Sequence, residues 1–195
     1  MVPASNAFAR LSTAVVVLGG LACSGCKKDD RPLPPKPEVS LLEAAKNGKA
    51  QLVEANIRWG ADVNLRDENG WSALHHAAKE GHADVIKVLI ANKADINGRD
   101  REGRAAIHYA AHHGHADIID QLVAAGADPN ARDKYGVAAI HAAASSNARE
   151  AVNRLAKAGA DLNVKDKAGR TPLDYAASKN LRGIAALLRE HGAKD

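Results

Sequence analysis

Apolar and polar positions recur over residues 40–195 at a step of 33 residues. Asp67, Asp100, Asp133 and Asp166 keep this step, and so do Gly70, Gly103, Gly136 and Gly169. Leu74, Ile107, Ile140 and Leu173 follow it, as do Ala78, Ala111, Ala144 and Ala177, and Asn64, Asn97, Asn130 and Asn163. No insertion or deletion interrupts the series. A fixed step of this length marks stacked units rather than one large core. Within a unit, Asp67-Glu68-Asn69-Gly70 is a turn signal, with glycine free to take positive φ. Ser72 to Lys79 reads as a short alanine-rich helix, broken at Gly81-His82. Ala83 to Ala91 reads as a second helix, with Val85, Ile86, Val88, Leu89 and Ile90 forming a broad apolar face. One such pair cannot bury its own apolar side, but stacked neighbours can. The expectation is an all-α solenoid of five helix-turn-helix units with β-turn fingers, over 40–66, 67–99, 100–132, 133–165 and 166–195.

The end units differ from the middle ones. The first begins Ser40-Leu41-Leu42-Glu43, the spacing at which Ser and Glu each satisfy the other's free N–H. Its Asn56 stands where the next unit has Leu89, and the last unit carries Arg189 where Ile90 and Val123 stand. Polar outer faces on terminal units keep an array soluble.

Gly70-Trp71-Ser72-Ala73-Leu74-His75-His76-Ala77-Ala78-Lys79-Glu80-Gly81-His82 resembles the ankyrin-repeat motif G-x-T-P-L-H-x-A-A-x-x-G-H. Gly126-Ala127-Asp128-Pro129-Asn130 resembles its G-A-D-x-N. The resemblance extends over residues 40–195. It implies a concave surface of fingers and first helices that binds another protein. Some positions depart from the motif. Thr-Pro survives only as Thr171-Pro172, so His108 and His141 lack the hydroxyl partner the family places beside them. Lys93 replaces the glycine seen at Gly126 and Gly159; a left-handed lysine there costs on the order of 1 kcal/mol.

Residues 1–22 have the parts of a secretory signal. Arg10 is the one charge before a short apolar run, Leu11 to Ala22, that ends in small residues. The run is shorter than the roughly 20 residues of a membrane-spanning helix. Leu21-Ala22-Cys23-Ser24-Gly25-Cys26 resembles the lipobox of bacterial lipoproteins, which implies a lipidated Cys23, with Cys26 as the alternative. An ordinary secretory signal with a nearby disulfide also fits, as does a degenerate membrane anchor. Residues 23–39, rich in proline and charge, read as a semi-extended tether. The expected location is a bacterial cell envelope, anchored to a membrane by lipid and facing the periplasm or the outside. A soluble periplasmic or secreted protein is the alternative.

Composition sharpens this picture. Of 195 residues 41 are alanine and 3% are aromatic, which suits close helix stacking and not one bulky core. Net charge is only +4, with 27 Lys and Arg interspersed among 23 Asp and Glu, so no nucleic-acid partner is expected. Neither Gly-x-Ser-x-Gly nor a phosphate-cradling glycine loop occurs, and no enzyme activity or cofactor is expected.

Seven of nine histidines lie between His75 and His115. His75, His108 and His141 fall at the family's structural position, and His82 and His115 at its Gly-His position. His76, His112 and His113 fall outside it. They carry an alternative function, a metal- or small-molecule-responsive envelope protein, although no defined metal motif is present. The residues expected to bind a protein partner are Trp71, His76, Arg101, Arg104, Tyr109, His112, His113 and Tyr135. Trp, Tyr and Arg dominate interface hot spots. A monomer acting through units two to four is expected.

Overall fold

A computed structural model describes residues 34–194, which lie within one compact unit. The expected signal over 1–22 and the lipidation candidates Cys23 and Cys26 lie outside the described residues. Among the described residues ten helices run in five pairs: α1 (Leu41–Lys46) and α2 (Ala50–Arg58), α3 (Ala73–Glu80) and α4 (Ala83–Ala91), α5 (Ala106–His113) and α6 (Ala116–Ala124), α7 (Ala139–Ser145) and α8 (Arg149–Lys157), α9 (Pro172–Ser178) and α10 (Arg182–Glu190). First helices pack on neighbouring first helices, and second helices on neighbouring second helices.

Alanine decides the first row. Ala77, Ala78, Ala110, Ala111, Ala143 and Ala144 are fully buried, so these short helices approach closely. Larger side chains fill the space behind them. Ile86 and Leu89, Ile118, Ile119 and Leu122, then Val152 and Leu155, are also fully buried on successive second helices. No helix among the described residues is long and apolar enough to cross a membrane.

The ends are closed by polar groups. Ser40 Oγ accepts from the Glu43 N–H at 3.3 Å, but the expected reciprocal bond is replaced: Glu43 Oε1 accepts from Asn47 Nδ2 at 2.6 Å. Asn56 donates to the Val39 carbonyl at 3.0 Å, and Trp59 Nε1 to the Pro34 carbonyl at 2.9 Å. Residues 34–39, expected to belong to the tether, are therefore held against α2. In the last unit Thr171 and Asp174 complete a reciprocal cap, with bonds of 2.8 and 3.2 Å.

Positive φ ends the first helices. Gly81 and Gly114 occupy this place in units two and three, and Asn147 and Asn180 in units four and five, at φ 60° and 56°. Asparagine tolerates this region better than most side chains. At Gly81 a second constraint acts. His115 of the next unit reaches over it to the Lys79 carbonyl at 3.1 Å, and a Cβ on Gly81 would lie 2.6 Å from that ring. Gly114 faces only Ala148 at 3.5 Å, so there the positive φ is the constraint that remains.

Lys93 is left-handed, with φ 60°, as expected from the missing glycine. Lys93→Gly is expected to raise stability by about 1 kcal/mol, read from denaturant midpoints. A midpoint lower than that of the native chain would contradict the assigned strain.

Three sets of side chains join one unit to the next. Asn64, Asn97, Asn130 and Asn163 accept through Oδ1 from the backbone N–H of Asp95, Asp128, Asp161 and Lys194, at 2.7–3.0 Å. Arg66, Arg99 and Arg132 donate to the carbonyls of Gly70, Gly103 and Gly136 in their own fingers, and also to those of Arg99, Arg132 and Lys165. The third set is histidine. His75, His108 and His141 accept through Nδ1 from the N–H of Ser72, Ala105 and Ala138, at 3.1–3.2 Å. An accepting Nδ1 places the ring proton on Nε2. That nitrogen donates across to the carbonyls of Arg104, Val137 and Arg170, at 3.0–3.2 Å. The hydroxyl absent from units three and four is thus dispensable, because the backbone N–H alone holds the ring.

Candidate functional site

Each finger is built on its aspartate. Oδ1 of Asp67 accepts from the N–H groups of Asn69 and Trp71, and Oδ1 of Asp100 from those of Glu102 and Arg104, at 2.8–2.9 Å. Asp133 and Asp166 repeat the pattern with Tyr135 and Val137, and with Ala168 and Arg170. Successive fingers are tied by backbone bonds, from Arg101 N–H to Asn69 O, Lys134 N–H to Glu102 O, and Lys167 N–H to Tyr135 O. The Lys134–Glu102 ion pair, at 2.6 Å, lies beside the second of these.

The second carboxylate oxygen meets the first helix of the same unit, nine residues on. Asp67 Oδ2 bonds His76 Nε2 at 3.1 Å, Asp100 Oδ2 accepts from Tyr109 at 2.5 Å, and Asp166 Oδ2 accepts from Tyr175 at 2.9 Å. Burial favours the neutral acid at Asp166. The Arg170 N–H, the Tyr175 hydroxyl and the Arg170 guanidinium outweigh it and hold the carboxyl down at about 2. Burial and the bond to Asp166 push the Tyr175 phenol up to about 12. The same two causes, with Asp100 as partner, raise the Tyr109 phenol further.

Unit four breaks the series, because nine residues after Asp133 stands Ala142. The Asp133 side chain is 1% exposed and meets Arg104 Nε at 3.4 Å, a long contact for a charged pair. Here the concave face opens into a cavity of about 500 Å³. Arg104, His108, Tyr109, His112, His113, Asp133, Tyr135, Ala142, Arg170 and Tyr175 are among its walls. It lies on units three to five and so overlaps two of the three units expected to bind a partner.

The structure separates the eight expected residues. Arg104, Tyr109, His112, His113 and Tyr135 line this cavity. Tyr135 is 52% exposed, with Lys134 Nζ 5.1 Å from its ring centre. Tyr109 is only 8% exposed, so its phenol serves the finger and offers little contact area. Trp71 and His76 lie outside the cavity. Trp71 is half-buried against Tyr109, with ring centres 4.5 Å apart, and His76 lies 5.2 Å from the Trp71 ring. Arg101 is exposed on its finger, outside the walls. Sequence reasoning missed Asp133, Ala142 and His108. The signal available was the break in the series His76, Tyr109, Ala142, Tyr175.

His76 is engaged by Asp67, while the rings of His112 and His113 lie 5.1 Å apart and His113 stacks on His115 at 6.1 Å. Among the described residues no three His, Cys, Asp or Glu side chains form a group that could hold a metal ion. The expected histidine set therefore does not converge on a metal site. The buried rings have a structural part. Desolvation lowers the pKa of His75, His108 and His141, and the carbonyl bonds and nearby Asp100, Asp133 and Asp166 only partly oppose it.

The geometry defines a helical repeat scaffold with a concave face of fingers and first helices. A family model described as ankyrin repeats (3 copies) matches residues 41–133, and one described as ankyrin repeats (many copies) matches residues 122–176. The chain is an ankyrin-repeat protein, a class that typically binds other proteins. It is similar to the Notch-regulated ankyrin repeat-containing protein of Homo sapiens, 34% identical over 52 residues, covering 27% of this chain and 46% of that one. The same figures hold for the protein of that name in Xenopus laevis. The chain thus spans about half the length of the curated relatives it matches.

Proposed function

We propose that this chain binds another protein through the groove over units three to five, and that lipid on Cys23, or alternatively Cys26, holds it to a bacterial envelope membrane. The observation that carries the first part is the cavity itself. It lies on the face that ankyrin repeats use, and Tyr and Arg line it. The second part rests on Arg10, the apolar run Leu11 to Ala22 and the cysteines that follow. Acyl chains on such a cysteine would leave the array facing the periplasm or the outside, with two or more needed for a stable anchor.

Affinity capture with the full-length chain, anchor intact, from native envelopes tests both parts. Arg104→Ala, His113→Ala and Tyr135→Ala together are expected to lower partner recovery about ten-fold or more. Trp71 and Tyr109 are left in place because each packs within the array. Undiminished capture by a folded triple variant overturns the surface assignment. Removing both cysteines should release the chain from pelleted membranes, and continued membrane association would overturn the anchor.

A further inference from the structure

We infer that the cavity of unit four is a receptor for a single tyrosyl side chain, presented by the protein that docks on the groove. The inference deepens the binding role proposed above and rests on it. The repeat itself shows what chemistry the position takes. In units three and five the residue nine after the finger aspartate is tyrosine, and its hydroxyl donates to that aspartate. In both, the ring packs on the structural histidine of the preceding unit. Tyr109 lies 5.9 Å from His75 and Tyr175 lies 5.0 Å from His141, both near edge-to-face. In unit four the aspartate and the histidine are kept, as Asp133 and His108, but the ring position is Ala142. All three line the cavity, and so do Tyr109 and Tyr175.

A phenol entering from a partner would pack its ring near edge-to-face on His108 and donate a hydrogen bond to Asp133, completing in trans what neighbouring units complete in cis. Arg104 lines the same cavity. Its contact with Asp133 is 3.4 Å and its side chain is 40% exposed, so it can shift within the groove. Unit five shows that an arginine and a phenol share one aspartate: Arg170 reaches Asp166 at 2.8 Å while Tyr175 reaches it at 2.9 Å. A phenylalanyl ring would fill the same space but leave the carboxylate with Arg104 alone. A hydrogen bond to a charged group is strong enough to separate the two rings about ten-fold.

The test is a titration of the full-length chain in detergent with N-acetyl-tyrosinamide and N-acetyl-phenylalaninamide, followed by amide NMR shifts. Saturable shifts at His108, Asp133 and Ala142, with the tyrosine amide bound about ten-fold more tightly, are expected. Asp133→Asn keeps the finger acceptor and should erase that preference. Ala142→Tyr supplies the ring from the chain itself and should abolish binding of both amides while raising the melting temperature. Equal affinity for the two amides on the native chain overturns the proposal without recourse to any variant, and binding that survives in folded Ala142→Tyr overturns it too. The amides need no partner, so their failure is separable from failure of the scaffold role. If Ala142→Tyr captures the envelope partner as well as the native chain does, the scaffold stands and the tyrosyl receptor falls.

Discussion

The melting temperature of the array should fall steeply as the pH is lowered from 6.5 to 5. His75, His108 and His141 are 1%, 4% and 0% exposed, and desolvation depresses each pKa below the ordinary 6.5. Each ring accepts a backbone N–H through Nδ1, which a protonated ring cannot do. Well above pH 6.5 the rings are neutral in both folded and unfolded chains, and stability is at its plateau. Below it the unfolded chain binds protons that the folded chain refuses, so stability declines until the lowered folded values are reached. One ring contributes at most about 1.4 kcal/mol per pH unit, and three contribute at most about 4 kcal/mol per unit. Set against a typical total of about 5–15 kcal/mol, a slope of this order is readable as a shift in melting temperature. Asp67, Asp166 and Asp174 are held below their ordinary range, so their stabilisation is lost only as the pH falls below about 4, outside this window. Thermal melts at pH 7.5, 6.5, 5.5 and 5.0 provide the measurement. A melting temperature independent of pH across this range would refute the assignment of neutral, locked rings.

Leu122→Ala is expected to be the most damaging single truncation. Leu122 is fully buried on α6, the middle second helix, which packs against α4, α5 and α8. Truncating a buried leucine costs about 2–5 kcal/mol, depending on how far the surroundings collapse. Position adds to this. Each unit of a solenoid is supported by its neighbours, so a weakened centre also uncouples the two halves. Unfolding followed by tryptophan fluorescence reports on Trp59 and Trp71 in the first two units, whereas circular dichroism reports on the helices of all five units. In the native chain the two transitions should coincide, and in Leu122→Ala they should separate. Leu188→Ala, equally buried in the last unit, should fray α9 and α10 and leave the fluorescence midpoint in place. Coincident, barely shifted transitions in Leu122→Ala would show that the central seam does not carry the coupling.

Much of this fold is legible in the chain because the repeat turns local signals into a register. The helix expected over Ser72–Lys79 is α3, displaced by one residue, and the second runs over Ala83–Ala91 as expected. Lys93 is left-handed where glycine is missing. The connections between units are harder to read. Recurrence of Asn64 and its equivalents shows that the position matters, but the N–H it serves lies 31 residues ahead. Arg66, Arg99 and Arg132 look like ordinary surface charge until the next unit's carbonyl is placed beside them. The candidate site is the least legible part. Tyr109 has the composition of a hot spot, yet its exposure is decided by where Asp100 directs its second oxygen. The groove depends on one small residue, Ala142, whose meaning comes from the rings on either side.

The asparagine and arginine bonds have an evolutionary consequence. Every such bond leaves one unit and ends in the next, at a constant offset. Excising residues 100–132 would bring Lys165 to the distance from Arg99 that Arg132 now holds, and Asp161 to the distance from Asn97 that Asp128 now holds. In-frame gene duplication or deletion in steps of 33 codons can therefore lengthen or shorten the array with its joints intact. The same excision removes His108 and Tyr109, so recombination that spares the scaffold would still rewrite its binding face.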